Sequence, residues 1–471
     1  MTDEPEQNQD EQNEFDSIDG VLTSTLQADD ELLDDIRDLI ESKQRGALIN
    51  ILADLHPADI AEIIDHLTPD ESAYLLELMD AETASQVLVE VEEATRDYLL
   101  DRIPHPRLSK IVDELESDDA TDIVAELPKE VADKVLDTLP KEDSVELKKL
   151  LRYPEDSAGG IMGTEFIALP ASATVQDATE AVRELAEKTE DIYAIFVTNE
   201  DDQLVGVVSL KALLLNPSFK RLEDVMDREV IFVRVDVDQE DVANVMRKYD
   251  LIAIPVTDED NRVVGVINFD DIADVIDEEA HEDFQRMSGL SGEDQRRGIS
   301  GVIRSRLPWL LLGLVGEIIA ALVLMSFEAT LEQVVASAFF IPIVMAMGGI
   351  SGNQAAAVVV RDIATGETEY GHTLLRIGRE FLSALLNGLA IGVIILLIVS
   401  IWTSDVMFGI TLALSLVTVV INATVVGAGV PYVLHKFNFD PAIATGPFIS
   451  TTNDALGILI YLTFCSLIYL N

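Results

Sequence analysis

Five apolar runs crowd the C-terminal third of the chain: Pro308–Phe327, Val334–Val360, Phe381–Trp402, Val406–Leu434 and Pro441–Leu470. Each matches the roughly 20 residues a helix needs to cross a bilayer. Backbone inside lipid must satisfy its own hydrogen bonds, so these runs predict transmembrane helices. The last run contains an acid, Asp454, preceded by Ser450, Thr451, Thr452 and Asn453. A carboxylate at membrane depth is costly and faces a bundle interior or a water-filled path. With hydroxyl and amide oxygens around it, the segment suits a hard cation. A polar residue that only pins one helix to another is the plainer reading of the same acid.

Two further features bear on a cation path. Glu317 is a second membrane-depth acid, in the first run. The second run carries Met347-Gly-Gly-Ile-Ser-Gly-Asn-Gln-Ala355, where Gly348 and Gly352 give a small-residue face for close helix approach. Asn353 and Gln354 are candidates to present amide oxygens to a pore, with Ser450 and Asn453. Pro431, Pro441 and Pro447 mark breaks whose freed carbonyls can line a cavity.

Charge separates the chain into two parts. The formal net charge is −54, yet residues 301–471 hold only 10 of the 86 acids and 6 of the 32 bases. Those six bases fix an orientation. Arg304 and Arg306 precede the first run, Arg361, Arg376 and Arg379 lie between the second and third, and Lys436 follows the fourth. All fall on one side, which predicts a cytoplasmic N-terminus and an outside C-terminus in a multi-pass cell-membrane protein, with lipid as a partner. The polar, acidic N-terminus has no apolar core of a signal peptide. A chain this acidic lacks the basic footprint of a nucleic-acid binder. With only 12 lysines, its acidity fits a surface adapted to a salt-rich cytoplasm as well as it fits clustered metal ligands. The single cysteine, Cys465, excludes an internal disulfide and reads as a small core residue.

The acidic part is itself composite. Residues 1–25 carry few apolar positions and read as a disordered tail. Residues 26–157 show helical periodicity in short pieces broken at Pro57, Pro69, Pro104, Pro128 and Pro140. Asp59-Ile-Ala-Glu-Ile-Ile64 resembles Asp119-Ala-Thr-Asp-Ile-Val124, which predicts helix pairs stacked as a small solenoid. A plainer repeat follows: Ile195-Phe-Val-Thr-Asn-Glu-Asp-Asp-Gln-Leu-Val-Gly-Val-Val-Ser209 matches Ile254-Pro-Val-Thr-Asp-Glu-Asp-Asn-Arg-Val-Val-Gly-Val-Ile-Asn268. Each copy reads as strand, acidic turn, strand, with a helix before (Ala178–Lys188, Asp241–Tyr249) and after (Leu210–Leu215, Phe269–Ile276). The repeat resembles a tandem pair of cystathionine-β-synthase (CBS) domains, over 158–221 and 222–277. That resemblance implies adenosine nucleotides, ATP among them, as candidate ligands, although no residue here marks a nucleotide site. An acid-dense helix and linker over 270–300 lead to the membrane part, 301–471.

Arg306-Leu-Pro-Trp-Leu310, Gly348-Gly-Ile-Ser-Gly-Asn-Gln354, Asp440-Pro-Ala442 and Pro447-Phe448 leading to Asp454 and Leu459-Ile-Tyr461 together resemble the MgtE family of magnesium channels. The resemblance covers almost the whole chain. It implies a multi-domain membrane protein with an all-α N domain, α/β tandem CBS domains and a five-helix α transmembrane domain, and no enzymatic activity. It also implies a homodimer with a pore on the two-fold axis, where Asp454 of both subunits holds hydrated Mg²⁺ beside Ser450. Regulatory Mg²⁺ ligands are implied at Asp250, Asp271, Asp274, Glu279, Glu282 and Asp283, at Asp238 and Glu240, and at Asp118 and Asp122 in the N domain. Read from the residues alone, transport of Mn²⁺, Co²⁺ or Ca²⁺ stays open, because oxygen ligands suit several divalent ions. So does a membrane-tethered ion or nucleotide sensor that conducts nothing.

Overall fold

A computed structural model describes residues 30–186, 189, 192–287, 298–364, 373–437, 439–444 and 446–469. The expected tail, 1–25, and the linker after Met287 lie outside these residues. The chain divides into two compact units, one ending at Ala273 and one beginning at Asp274.

The first unit starts with short helices: α1 (Asp30–Glu41), α2 (Arg45–Ala53), α3 (Pro57–Asp65), α4 (Pro69–Leu78), α5 (Ala81–Glu90), α6 (Glu93–Leu100), α7 (His105–Val112), α8 (Ser117–Glu126), α9 (Lys129–Thr138) and α10 (Lys141–Leu150). The prolines that break the sequence pattern sit at helix starts, where a missing N–H costs nothing. Pro57 and Pro69 occupy the first turns of α3 and α4. Thr68 and Glu71 cap α4 reciprocally, with Glu71 Oε2 accepting from the Thr68 amide at 2.9 Å. Alternate helices pack on one another, α3 on α5, α5 on α7, α7 on α9 and α8 on α10, as a solenoid requires. Their inner faces bury Ile60, Ile64, Leu75, Val87, Leu88, Leu99 and Ile111 completely or nearly so. Burial of each such side chain contributes about 1.5–3 kcal/mol.

The repeat then builds two matching α/β halves. The first contains β1 (Ile167–Pro170), α11 (Val175–Leu185), β2 (Ala194–Thr198), β3 (Leu204–Ser209) and α12 (Leu210–Leu215). The second contains β4 (Val233–Arg234), α13 (Gln239–Tyr249), β5 (Ala253–Thr257) and β6 (Val263–Asn268), and runs into α14 (Phe269–Met287). In each sheet the first pair is parallel and the second antiparallel, with Ile195 opposite Val208 and Ile254 opposite Ile267. The acidic turns match atom for atom. Asn199 Oδ1 accepts from the amides of Asp201 and Gln203, and Asp258 Oδ1 from those of Asp260 and Arg262, all at 2.9 Å. Asp202 and Asn261 both take positive φ, 62° and 63°, at the equivalent turn position. The halves exchange their leading segments. A Cβ on Gly206 would lie 2.3 Å from Met226 Sδ, and one on Gly265 2.6 Å from Met162 Sδ, so the leading methionine of each half packs under the other's third strand, β3 or β6. Helices α11 and α13 begin three and two residues earlier than the periodicity suggests, because Thr174 and Asp238 cap them.

The second unit holds the remainder of α14 and the membrane part: α15 (Gly298–Ser326), α16 (Glu328–Gln333), α17 (Val335–Ala338), α18 (Ile341–Ala364), α19 (Thr373–Thr403), α20 (Val406–Lys436) and α21 (Pro447–Phe464), which ends in a π-turn, Cys465–Tyr469. Five helical stretches are long and apolar enough to span: Gly301–Ser326, Val335–Ile363, Arg376–Thr403, Val406–Lys436 and Phe448–Tyr469. Pro308 falls inside the first helix instead of opening it, and the last span begins at Phe448, after a 3₁₀ turn at Pro441–Ala444. Helix α20 is central, packed against α18, α19 and α21, while α15 lies against α21. Glycines set the crossings: a Cβ on Gly427 would come within 2.2 Å of the Gly352 carbonyl, and one on Gly316 within 2.4 Å of Thr451 Cβ. Phe340, Val344, Leu412, Leu416, Val419 and Leu462 fill the core. Buried Tyr461 donates to the Ser337 carbonyl at 3.0 Å. Buried Asp362 is held by Arg376 at 2.6 Å and Arg361 at 3.3 Å.

Candidate functional site

Helix α21 starts at a break. Gly446 adopts φ 59°, ψ −123°, a conformation open to glycine, and Pro447 opens the helix. Ser450 and Asp454 follow one turn apart on the same face. Asn353 of α18 donates to Ser450 Oγ at 3.1 Å, so two of the expected pore residues meet. Asp454 is partly buried and hydrogen-bonded to Glu317, which the Gly316–Thr451 crossing of α15 and α21 brings alongside it. Glu317 had been legible only as a second membrane-depth acid. Its convergence with Asp454 needs the crossing. No Lys or Arg occurs between Arg306 and Arg361, nor after Lys436, so no basic side chain of these segments supplies the pair's countercharge.

Asn453 departs from the expectation. It is 1 % exposed and turned between α18 and α20, so it does not line an open path. Successive helical residues point about 100° apart, and Asn453 and Asp454 therefore cannot share a face. Gln354 is exposed, whereas its neighbour Asn353 is only partly so.

In the first unit, the expected ligands Asp118 and Asp271 come together. Ser117, at the start of α8, docks onto the segment before β1: its amide donates to Glu165 Oε1 at 3.1 Å, its hydroxyl to Glu165 Oε2 at 2.8 Å, and the Thr164 amide donates to Ser117 Oγ at 2.8 Å. This leaves Asp118 and Asp271 partly buried among Asp119, Glu116 and Glu165. Burial first, then the Asp271 charge, pushes the Asp118 carboxyl well above the usual carboxylate range. Burial, with Asp270 next, pushes Asp271 up to about 7. Asp122 is exposed on α8. Asp238 caps α13 by accepting from the Glu240 amide at 3.0 Å, with Glu240 in the first turn. Asp250 ends α13 in the left-handed conformation, φ 52°. Among the described residues, Asp122, Asp238, Glu240 and Asp250 are not brought into a shared ligand set with Asp118 and Asp271.

In the second unit, Asp274 is exposed while Glu279, Glu282 and Asp283 are partly buried on α14. Arg286, one turn after Glu282, pairs with it and with Asp440 Oδ2, the latter at 2.5 Å. Burial, then the Asp440 charge, pushes Asp283 up to about 6. Asp440 and Arg286 are the residues that sequence reading left out of this cluster. Asp440 stood in a quoted motif, and Arg286 lies at helical spacing from Glu282. Among the described residues, no group of three or more His, Cys, Asp or Glu side chains converges as a metal site. Glu279, Glu282 and Asp283 are partly buried along one stretch of α14 and Asp274 is exposed, so these acids are not drawn into a closed cage.

A five-span bundle with an acid pair where α15 crosses α21, joined in sequence to a helical solenoid and a CBS pair, defines a multi-pass membrane protein of the ion-transport class. The family model described as "Divalent cation transporter" matches residues 341–464, the MgtE intracellular N domain matches 55–156, and the CBS domain matches 158–217 and 222–278. The Magnesium transporter MgtE of Bacillus subtilis (strain 168) is 39% identical over 321 residues, covering 68% of this chain and 71% of that protein. That of Thermus thermophilus is 34% identical over 329 residues, covering 69% and 72%. The chain belongs to the MgtE family. A solved structure, the cytosolic domain of the Mg²⁺ channel MgtE in complex with ATP, is 34% identical and covers 51% of this chain and 99% of that one, with a TM-score of 0.48.

Proposed function

We propose that this protein is a passive Mg²⁺ channel whose path runs beside α21, and that cytosolic Mg²⁺ closes it. The observation that carries this reading is the Asp454–Glu317 pair, two membrane-depth carboxyls that no basic residue of these spans can neutralise. Mg²⁺ dehydrates reluctantly and is held by one or two carboxylates with its waters kept. Asp454, with Ser450 and Asn353 beside it, fits that manner of binding. A single five-helix bundle is small for enclosing a hydrated path, so a homodimer placing two Asp454 residues together belongs to the proposal. The basic loops put the N-terminus inside and the C-terminus outside.

Closure is proposed to use the cytosolic acids. Mg²⁺ bridging Asp118 and Asp271, and the α14 set Glu279, Glu282 and Asp283 with Asp274, relieves their mutual repulsion and holds the cytosolic part in one arrangement. Asp122, Asp238, Glu240 and Asp250 stay in the proposed set as outer ligands. ATP is a proposed second ligand of the CBS pair, supported by the ATP complex of the similar cytosolic domain. The test is Mg²⁺ uptake by liposomes carrying the full-length protein, read with an internal dye, with Mn²⁺, Co²⁺ and Ca²⁺ as competitors. Selective Mg²⁺ entry without an energy source supports the channel. Preference for another divalent ion reassigns the cargo, and no flux at all leaves a sensor.

A further inference from the structure

Asn453 sits beside the proposed path but not in it, and its surroundings are unusual. It is 1 % exposed, and neither Oδ1 nor Nδ2 meets a hydrogen-bonding partner among the described protein groups. Asn353 Oδ1 is likewise buried without a partner, while its Nδ2 donates to Ser450 Oγ at 3.1 Å. Both carboxamides lie along the contact of α18 and α21, Asn353 on Ser450 and Asn453 against Gly352. There Gly352 makes the room: a Cβ on it would lie 2.1 Å from Asn453 Nδ2, with Ile449 Cγ2 at 2.8 Å and the Ala423 carbonyl at 3.3 Å. Ile449 is fully buried and Asn453 nearly so, so no second copy of the chain reaches the Asn453 carboxamide without opening the bundle.

A buried carboxamide left unpaired bears the full desolvation penalty of its polar atoms, and an apolar side chain of similar size would avoid it. A group that meets these atoms would relieve that penalty, and their chemistry selects what. Whichever way the Asn453 amide is turned, it presents both an NH₂ donor and a carbonyl acceptor, and Asn353 adds a second acceptor. A metal cation would take the oxygens but face the NH₂ hydrogens, and an anion would do the reverse. Water serves all of them and needs only two to four polar partners.

We propose that Asn453, Asn353 and Ser450 build an internal water site at the α18–α21 crossing, and that the water held there fixes the Asn353–Ser450 rim beside Asp454. The link to ion flux rests on the channel reading; the water site itself does not. The experiment compares the full-length wild-type protein with Asn453→Leu and Asn453→Ala. X-ray radiolysis, which labels side chains next to bound water, reports on Ile449, and liposome Mg²⁺ uptake reports on the path. Wild-type protein is expected to label at Ile449 despite its burial. Leu fills the site with apolar atoms, so labelling there should vanish and uptake should fall about tenfold or more through the misplaced rim. Ala leaves space for a further water, so labelling persists and uptake stays within about threefold of wild type. Absence of Ile449 labelling in the wild type overturns the proposal, as does wild-type uptake from a folded Leu variant. If the Leu variant does not fold, wild-type and Ala labelling decide alone. A wild-type protein that labels but carries no Mg²⁺ removes the channel reading and leaves the water site standing.

Discussion

Asp271 offers the sharpest test of how the cytosolic acids work. Burial, with the neighbouring Asp270 charge, raises its ionisation to about pH 7 from 3.8, and Asp118 beside it is raised in the same direction. A carboxyl whose pKa is raised by folding stabilises the docked state when protonated. That contribution is complete below the unfolded pKa, near 4, and is lost as pH rises through 7. For Asp271 alone, linkage gives a loss of about 3 kcal/mol between pH 5 and pH 8, or roughly 100-fold in the opening equilibrium. Two amides report that opening directly. Ser117 donates to Glu165 and Thr164 donates to Ser117 Oγ across the docked surface, at 3.1 and 2.8 Å. In chelator, hydrogen exchange of the full-length protein, corrected for intrinsic rates, should show their protection falling about 100-fold over this pH range. Asp271→Asn, which keeps an oxygen for the Asn268 amide that Asp271 Oδ2 now accepts at 3.1 Å, should flatten most of the slope. Millimolar Mg²⁺ should restore protection at pH 8, because the cation replaces the lost protons, and equal ionic strength of K⁺ should not. Protection that stays level from pH 5 to 8, or a slope unchanged in Asp271→Asn, would refute the argument that these acids hold the docked state apart.

At the pore, Asp454→Ala should abolish Mg²⁺ selectivity or uptake and Asp454→Asn should weaken it, as read in the liposome dye assay; wild-type flux from the Ala variant removes Asp454 from the path. Neutralising Glu279, Glu282 and Asp283 together should leave the channel conducting at high internal Mg²⁺, since two like charges roughly 4 Å apart repel by about 4 kcal/mol at an effective dielectric near 20 and bridging them would drive closure. Normal closure in that triple variant, with Na⁺ as effective as Mg²⁺, would make these acids a salt-adapted surface and nothing more. Cysteine crosslinking around Ser450 should trap a dimer, and a monomer that conducts contradicts the two-fold pore. Tyr461→Phe should lower stability in detergent by about 1–3 kcal/mol, because the buried Ser337 carbonyl loses the donor now 3.0 Å away; an unchanged melting temperature would show that this bond is dispensable.

Much of the architecture was legible before any coordinates. Five spans follow from apolar run length alone, and the two CBS-like halves follow from a repeat whose turns, Asn199–Gln203 and Asp258–Arg262, reproduce one another's hydrogen bonds. These are local properties: hydropathy, periodicity and turn chemistry act within a few residues, so a chain displays them in order. Asp454 was legible for the same reason, as an acid whose immediate neighbours are apolar.

What a residue meets across the fold is not written locally. Glu317 and Asp454 converge because Gly316 lets α15 close on Thr451, and nothing near either acid announces the other. Arg286 finds Asp440, 154 positions away, only through the packing of the second unit. Asn453 read as a pore residue by its place beside Asp454, yet the helical turn between them sends it into the bundle against Gly352. The sequence by itself determined which segments are helices, strands and spans; the tertiary structure decided which acids are paired, which amide is buried, and hence where charge and water collect, because burial and neighbour charge are properties of the assembled core.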